Sequence, residues 1–159
     1  MTDFDLNSRL EQFAGILAVE FLLHREPMLL IDRLLYSRDN RTTCEWAVVE
    51  GGPFVEPRLG IAAYVGVEFM AQCIGVHAGA RARATGFGPP LGFLLGTRHY
   101  KTILPRFGIG ETFQVTCEEL IRDSSGMGSY ECCILLRGIS VAEARLSVLE
   151  KGRGRELSG

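Results

Sequence analysis

The distribution of apolar and polar residues divides the chain into a helical start, a long central helix and a run of strands. Residues 8–23 carry apolar side chains at helical spacing, which predicts a short helix in this part. Residues 28–49 are rich in β-branched and aromatic side chains on both sides of Asp39 and Asn40, so we expect a β-hairpin with its turn there. The next segment, 50–60, is rich in glycine and proline and is predicted to be a loop.

Residues 61–84 are predicted to form the central helix, because this segment is long and contains no proline. Before Arg81 its polar side chains are Glu68, Gln72 and His77. A helix that is apolar on nearly every side is buried on every side. The segment also contains too many small and polar residues for a membrane span. We therefore expect this helix to lie at the centre of the core.

The remainder of the chain has the pattern of antiparallel strands separated by glycine-containing turns. The predicted strands lie in residues 91–104, 111–122, 128–138 and 141–150. Apolar side chains alternate with polar ones in the second and last of these, which is typical of strands with one buried face. The expected fold is α+β, with a curved antiparallel β-sheet wrapped around the long buried helix. We expect one domain over residues 1–150 and a flexible C-terminal tail over residues 151–159.

Composition and charge exclude several classes of function. The 159 residues carry a formal net charge of −2 and no basic stripe, so a nucleic-acid partner is not expected. The acidic start, MTDFDLNSR, does not have the form of a signal peptide, which predicts a cytoplasmic protein. The five cysteines are odd in number and show no Cys-x-x-Cys spacing, so we expect buried thiols.

Two motifs resemble a known family. Residues 22–35, LLHREPMLLIDRLL, are similar to the Pro-His-Arg-x-Pro-x-Leu-Leu-x-Asp-Arg stretch of the hot-dog-fold β-hydroxyacyl-acyl-carrier-protein dehydratases of fatty acid synthesis. Residues 66–79, GVEFMAQCIGVHAG, are similar to the helix motif of that family, Gly-Val-x-x-x-Glu-x-x-Ala-Gln. A closer resemblance is to the small dehydratase-like proteins of aryl-polyene and polyketide-like pathways. It is carried by the sequences of residues 24–32, 92–98 and 129–134. The resemblance implies a hot-dog fold.

The resemblance also implies an activity: the removal of water from a 3-hydroxyacyl thioester on an acyl carrier protein, giving a trans-2-enoyl thioester without metal or cofactor. Glu68 matches the family carboxylate that handles the proton of the β-hydroxyl group, and an apolar surround favours the protonated form of a carboxyl group. Gln72 lies one turn later on the same face and would orient the carboxylate or the substrate. Gly66 and Val67 would offer backbone N–H groups to the thioester oxygen. Tyr64 is a further candidate for positioning a hydroxyl group.

The catalytic base is the point at which the chain departs from the family pattern. The common dehydratases carry their histidine in a Gly-His-Phe-Pro-Gly loop before the helix, whereas residues 51–66 of this chain contain no histidine. His24 is our first candidate, with the alternative that it only hydrogen-bonds that loop. His99 is a second candidate, in a segment that borders the acyl tunnel of the family. His77 is placed on the opposite side of the helix from Glu68 and is expected in the core or an interface.

Two other functions stay open, and both concern the same fold. The chain could be a catalytically impaired hot-dog subunit that pairs with an active dehydratase, which the missing loop histidine favours. It could also be an acyl thioesterase, with Glu68 activating water. The resemblance implies a homodimer, or a heterodimer with another hot-dog subunit, in which acid and base come from different chains. Arg58, Arg98 and Lys101 would form a docking patch for the acidic carrier protein.

Overall fold

A six-stranded antiparallel sheet and one long helix dominate the computed structural model, which describes residues 1–152 and 156–157. In chain order the helices and strands are α1 (Asp3–Glu11), β1 (Arg33–Arg38), β2 (Arg41–Ala47), β3 (Val55–Glu56), β4 (Gly60–Ala62), α2 (Gly66–Ala84), β5 (Leu91–Thr102), β6 (Arg106–Phe107), β7 (Thr112–Arg122), β8 (Met127–Leu136) and β9 (Ile139–Lys151). Short 3₁₀ helices cover Ala18–Glu20 and Ala63–Val65. The main sheet has the order β1-β2-β7-β8-β9-β5, and β3-β4-β6 form a small second sheet.

The main sheet curves around α2, which contacts all six of its strands. Six strands spaced about 4.8 Å apart are far wider than one helix, whose diameter with side chains is about 10–12 Å. A single helix can therefore touch every strand only if the sheet bends around it. This confirms the predicted α+β architecture, with a curved antiparallel sheet around a buried central helix.

An aromatic cluster fixes the start of α2 against the sheet. The ring of Trp46, on β2, stacks on Phe69 at a centroid distance of 3.8 Å and on Phe113 at 5.2 Å. Phe107 packs edge-on against Trp46 at 5.7 Å, and the four side chains are at most 1% exposed. Because Phe69 follows Glu68 directly, this packing also fixes the position of the candidate acid.

Two glycines on α2 let the segment 21–24 approach the helix closely. A Cβ atom on Gly79 would lie 1.9 Å from the carbonyl oxygen of Phe21, and one on Gly75 would lie 2.6 Å from Cδ2 of Leu22. A side chain at Gly79 would therefore displace the backbone of the segment. Because the segment lies so close to α2, His24 is placed near the N-terminal half of the helix.

The structure confirms the strands and corrects the first helix. The hairpin of β1 and β2 turns at residues 39–40, and the later strands occupy the predicted segments. However, α1 begins at Asp3, five residues before the predicted segment 8–23. Its start is fixed by a capping box, in which Asp5 N–H donates to Thr2 Oγ1 and Thr2 N–H donates to a carboxylate oxygen of Asp5. Gly15, at φ +86°, lies in the turn that follows this helix.

The boundaries of the central helix and of the preceding loop also differ from the prediction. The α-helix begins at Gly66, after a short strand and a 3₁₀ turn, and not at residue 61. The predicted loop 50–60 contains β3 and the first residue of β4. Gly60 explains this pairing, since it has φ +93° and a Cβ atom there would lie 2.1 Å from the Phe107 carbonyl oxygen. That close approach lets β4 pair with β6.

The described part of the C-terminus is attached to the domain. Lys151 ends β9, Glu156 forms a bridge with Phe87, and the N–H of Leu157 donates to the carbonyl of Gly86. The rest of the predicted flexible tail, over residues 151–159, lies outside the described residues. Within the described ranges, no helix combines the length and apolar character that crossing a membrane requires.

We predict that Gly79→Ala lowers the free energy of unfolding by about 2 kcal/mol, measured by urea denaturation. Alanine favours a helix over glycine by about 1 kcal/mol, but the clash with the Phe21 backbone costs more than that gain. Gly75→Ala is the matched control, because its new methyl group meets only the end of the Leu22 side chain and should leave stability nearly unchanged. A Gly79→Ala protein as stable as the wild type would contradict this account of the packing.

Candidate active site

His24 and Glu68 lie next to each other, although they come from different parts of the chain. His24 belongs to the segment that follows the first 3₁₀ helix, and Glu68 is the third residue of α2. The Nε2 atom of His24 is 3.9 Å from Oε1 of Glu68, and the two side chains are 41% and 37% exposed. This distance is longer than a hydrogen bond. Glu68 is therefore the charged neighbour of the imidazole.

The two side chains line a cavity of about 190 Å³ whose walls are mainly apolar. Its walls come from the segment 21–24, from one face of α2, from residues 90–94 and from residues 148–150. Glu68 is therefore only partly enclosed by apolar groups in the single chain. The apolar residues around it in the sequence predict deeper burial. The site combines a candidate acid, a candidate base and a space lined mainly by apolar groups.

Gln72 joins this pair to the rest of the domain. Its side chain is fully buried, and its Nε2 group donates to Glu68 Oε1 at 3.1 Å and to the Met28 carbonyl at 2.7 Å. Its Oε1 atom accepts the N–H of Leu30 at 2.9 Å. A buried carboxamide must find partners for its polar atoms, and here three hydrogen bonds supply them. Gln72 thus connects the candidate acid to the segment that leads into the first strand.

Arg25 fixes the backbone around His24. Its Nη1 group donates to the carbonyls of Leu22 and His24, at 2.8 and 2.7 Å. Sequence analysis missed this contribution, because an arginine that bonds only backbone carbonyls leaves no charge pattern with a partner. These two hydrogen bonds stabilise a turn. Glu26 follows this turn and leads into the segment whose backbone Gln72 binds at Met28 and Leu30.

One of the two backbone N–H groups predicted to form a cradle, that of Gly66, is already bonded within the chain, and the role predicted for Val67 stays a prediction. The N–H of Gly66 already donates to the carbonyl of Ala63, because the 3₁₀ turn runs directly into α2. The hydroxyl of Tyr100 donates to the same carbonyl. The N–H of Gly66 is therefore not free for a thioester oxygen. Tyr100, which sequence analysis did not single out, stabilises this junction.

Tyr64 and His99 lie away from the cavity in this chain. Tyr64 is 77% exposed, on the 3₁₀ turn before α2. His99 is exposed on β5, at a bulge where its φ is +56°. Neither is among the described residues that line the cavity beside Glu68. Their predicted roles in substrate binding stay predictions.

His77 lies in the core, as its place on the helix predicts. It is 1% exposed, and its Nδ1 atom is 2.8 Å from Oγ1 of Thr42, which in turn bonds Ser37. Burial, assisted by the positive charge of Arg81, lowers the pKa of His77 to about 4, and the nearby Glu119 opposes this shift only in part. His77 is therefore a neutral core residue at physiological pH.

Comparisons with known proteins agree with this fold. Residues 17–157 match the ApeP-like family, which is described as ApeP dehydratase. Among solved structures, the dehydratase heterocomplex ApeI:P from Xenorhabdus doucetiae is similar, with 27% sequence identity and a TM-score of 0.78 over 86% of this chain and 92% of that chain. The predicted hot-dog fold is thereby confirmed. No curated protein matches the chain.

More distant structures show the same fold alone. A hypothetical thioesterase from Streptococcus pneumoniae TIGR4, solved with coenzyme A, has a TM-score of 0.58 at 13% identity, over 77% of this chain and 87% of that chain. The PaaI protein of E. coli, from a phenylacetic acid degradation operon, has a TM-score of 0.57 at 13% identity, over 79% of this chain and 82% of that chain. At this level of identity the likeness carries no information about activity.

We predict that Gln72→Met destabilises the protein by roughly 3 kcal/mol in urea denaturation. The variant leaves the Met28 carbonyl and the Leu30 N–H without their side-chain partner, and each unsatisfied buried group costs roughly 1–3 kcal/mol. Amide hydrogen exchange at Leu30 should become much faster. The exposed Gln114 provides the control Gln114→Met, which should change neither quantity. Exchange at Leu30 that is as slow as in the wild type would contradict this role of Gln72.

We predict that the burial of His77 makes the protein less stable in acid. The unfolded chain takes up a proton on this residue near pH 6.5, and the folded chain only near pH 4, so the unfolded state binds more protons between these values. Stability should therefore fall as pH drops through this window, by up to about 3 kcal/mol from this group.

The measurement is the free energy of unfolding at a series of pH values from neutral to pH 4. His77→Gln should flatten the dependence, whereas His99→Gln, a change at an exposed histidine, should leave it as in the wild type. An equal slope in the wild type and in His77→Gln would show that another group causes the acid sensitivity.

Proposed function

Because the chain belongs to the ApeP-like dehydratase family, we propose that it removes water from a 3-hydroxyacyl thioester carried by an acyl carrier protein and yields a trans-2-enoyl thioester. The observation that supports this most directly is the separation of 3.9 Å between His24 Nε2 and Glu68 Oε1 at an apolar cavity. Loss of water requires one proton to leave the α-carbon and another to reach the hydroxyl on the adjacent carbon. An acid and a base side by side fit two transfers at neighbouring atoms.

The proposed mechanism assigns one transfer to each side chain. Neutral His24 removes the α-proton, and the electron pair of that C–H bond forms the double bond to the β-carbon. The bond from the β-carbon to oxygen breaks, and protonated Glu68 gives its proton to the departing hydroxyl, which leaves as water. The proton on His24 then returns to Glu68 across the short gap and restores both groups. Gln72 holds the carboxyl group through its bond to Glu68 Oε1.

A second candidate function is that of a subunit that supports an active dehydratase. It is favoured by the similarity to a structure described as a dehydratase heterocomplex, and by the absence of a histidine from residues 51–66. In the present chain, His24 and Glu68 come from the same subunit. The first candidate therefore needs no residue from a partner, whereas the second assigns the chemistry to the partner.

Either candidate includes a second hot-dog subunit, and we propose that it covers the apolar part of β5, residues 91–95. This strand is an edge of the main sheet, and its side chains are exposed along nearly its whole length. Four of them are large and apolar and 42–50% exposed, namely Leu91, Phe93, Leu94 and Leu95. Open edges with apolar side chains are unusual in stable monomers. A partner on this edge would also close the cavity beside Glu68, since residues 91–94 line it.

The exposed arginine and lysine on β5 suggest where the carrier protein would dock. Arg98 and Lys101 flank the bulge of this strand, and Arg58 is exposed on the loop before β4. An acidic carrier protein would be attracted by these charges at low ionic strength.

We predict that the purified chain, alone or with its partner subunit, causes a 3-hydroxyacyl group on a carrier protein to lose the mass of one water in mass spectrometry. Glu68→Gln should reduce the rate at least about a hundredfold, because general acid–base groups contribute rate factors of about 10²–10⁴. His24→Ala should cause a loss of similar size. Gln114→Ala, at an exposed position of β7 that does not line the cavity, is the control and should retain most of the activity.

The variants also separate the two candidate functions. If the substrate loses water only when the partner is present, and the Glu68 and His24 variants support it as well as the wild type, the chain is a supporting subunit. Release of free acid in place of an enoyl thioester would contradict both and indicate a thioesterase.

A further inference from the structure

The edge strand β5 turns one side chain toward the start of the central helix. All twelve residues of this strand are described, and every one of them is exposed except Tyr100, which is half-buried. The strand contains a bulge at this point, because between Arg98 and Lys101 it carries one residue more than the paired stretch of β9. A bulge re-aims the side chains beside it. The inward direction of Tyr100 is thus a local departure from the rest of the strand.

The bulge depends on an unusual backbone conformation at His99. This residue has φ +56°, in the left-handed region that residues other than glycine rarely adopt. Such a conformation persists where the surrounding structure compensates for its cost, and it is often found near functional sites. Here the residue that follows the unusual conformation is Tyr100. We therefore looked for the function of the bulge in the contacts of Tyr100.

The hydroxyl of Tyr100 donates to the carbonyl of Ala63, which also accepts the N–H of Gly66. A carbonyl oxygen has two lone pairs and can accept both bonds. Burial raises the pKa of Tyr100 above its ordinary value, so the hydroxyl keeps its proton and stays a donor at neutral pH. Two donors, one from the helix and one from the sheet edge, thus meet where the 3₁₀ turn becomes α2.

Gly66 lets the hydroxyl reach this position. A Cβ atom on Gly66 would lie 2.3 Å from the hydroxyl oxygen of Tyr100 and 3.1 Å from Cδ1 of Ile134. The hydroxyl therefore packs directly against the backbone of the first residue of α2. A side chain at position 66 would push the hydroxyl away from the Ala63 carbonyl.

The candidate acid lies just after this contact. Glu68 is the third residue of α2, between Gly66, which Tyr100 contacts, and Phe69, which stacks on Trp46. Its side chain is 37% exposed, and its carboxylate accepts a hydrogen bond from Gln72. Because the side chain is only partly enclosed, the place of the carboxylate depends on the backbone that carries it. A displacement of about 1 Å can reduce a reaction rate by up to about a hundredfold.

We propose that Tyr100 is a positioning residue for the dehydration: through the start of α2 it holds the carboxyl group of Glu68 in place beside His24. The inference rests on the proposed function, because it assumes that Glu68 is the acid. Tyr100 is not among the described residues that line the cavity, so it acts through Glu68 and not on the substrate.

The first measurement compares the dehydration kinetics of the wild type and Tyr100→Phe. The variant loses the bond to the Ala63 carbonyl and keeps the cavity walls, so kcat should fall about tenfold while KM stays within about twofold. Tyr36→Phe is the matched control. It removes a hydroxyl from a partly exposed tyrosine on β1 and should leave both constants as in the wild type.

Gly66→Ala displaces the same hydroxyl without changing Tyr100. If the contact between the two residues is what places Glu68, this variant should lower kcat about as much as Tyr100→Phe does. The double variant should then be no slower than the slower single variant by more than about twofold, because both changes break one interaction. Losses that multiply to about a hundredfold would contradict the inference. If Tyr100→Phe does not fold, Gly66→Ala alone tests the contact.

Amide hydrogen exchange tests the contact without any reaction. In Tyr100→Phe the amide of Gly66 should exchange roughly fivefold faster, as the loss of one hydrogen bond predicts. The amide of Val115, in the core of the sheet, should exchange as in the wild type, because the change is confined to the start of α2. In Tyr36→Phe neither amide should change.

Two results would overturn the inference. One is an unchanged exchange rate at Gly66 in Tyr100→Phe, whatever the activity. The other is faster exchange with an unchanged kcat, since Tyr100 would then stabilise the junction without placing the acid. A wild type that does not dehydrate the substrate, alone or with its partner, contradicts the proposed function, and exchange at Gly66 then decides by itself whether Tyr100 fixes the start of α2.

Discussion

The fully buried carboxamide of Gln72 is the interaction on which the geometry of the site depends. A primary amide cannot be buried without partners, and its three hydrogen bonds join Glu68, Met28 and Leu30. One side chain thereby fixes both the candidate acid and the segment that follows His24. The stacked rings of Trp46 and Phe69 also fix the position of Glu68, because they pack the first turns of α2 against the sheet. The position of Glu68 thus depends on packing and hydrogen bonds in the adjacent core.

The close approach of the segment 21–24 to α2 shows how packing produces the site. Gly75 and Gly79 provide the space, and Arg25 bonds the backbone of the turn. His24 then stands 3.9 Å from Glu68, although 44 residues separate them in sequence. The single chain leaves the outer wall of the cavity incomplete, because the apolar side chains of β5 remain exposed. The fold therefore places the candidate acid and the candidate base in one chain, and we propose that a neighbouring subunit closes the cavity.

The hydrophobic pattern predicted the architecture, since helical and strand periods are direct consequences of which face is buried. The hairpin at residues 39–40, the central helix and the buried alternation of Phe113, Val115 and Cys117 all follow from it. The pattern did not predict the start of α1, which depends on the capping box of Thr2, or the small strands around Gly60, which depend on a close backbone approach.

The candidate site was predictable only in part. Glu68 and Gln72 stand out because they are polar on an apolar helix, and a motif matched them. His24 could be named as a candidate, but its distance from Glu68 depends on packing between distant segments. The Gly66 N–H and the Tyr100 hydroxyl both donate to the Ala63 carbonyl. These bonds depend on a 3₁₀ turn that no residue pattern predicts. Contacts of this kind require coordinates.

The most direct test of the central claim runs the proposed reaction backwards in heavy water. A trans-2-enoyl thioester on its carrier protein is incubated with the chain and its partner subunit, and the acyl group is analysed by mass spectrometry after return to ordinary water. If His24 and Glu68 act as base and acid on neighbouring atoms, the product is a 3-hydroxyacyl thioester that retains one deuterium on the α-carbon, and Glu68→Gln abolishes it. An unchanged enoyl thioester, or a deuterated product that forms equally well with Glu68→Gln, would contradict the account.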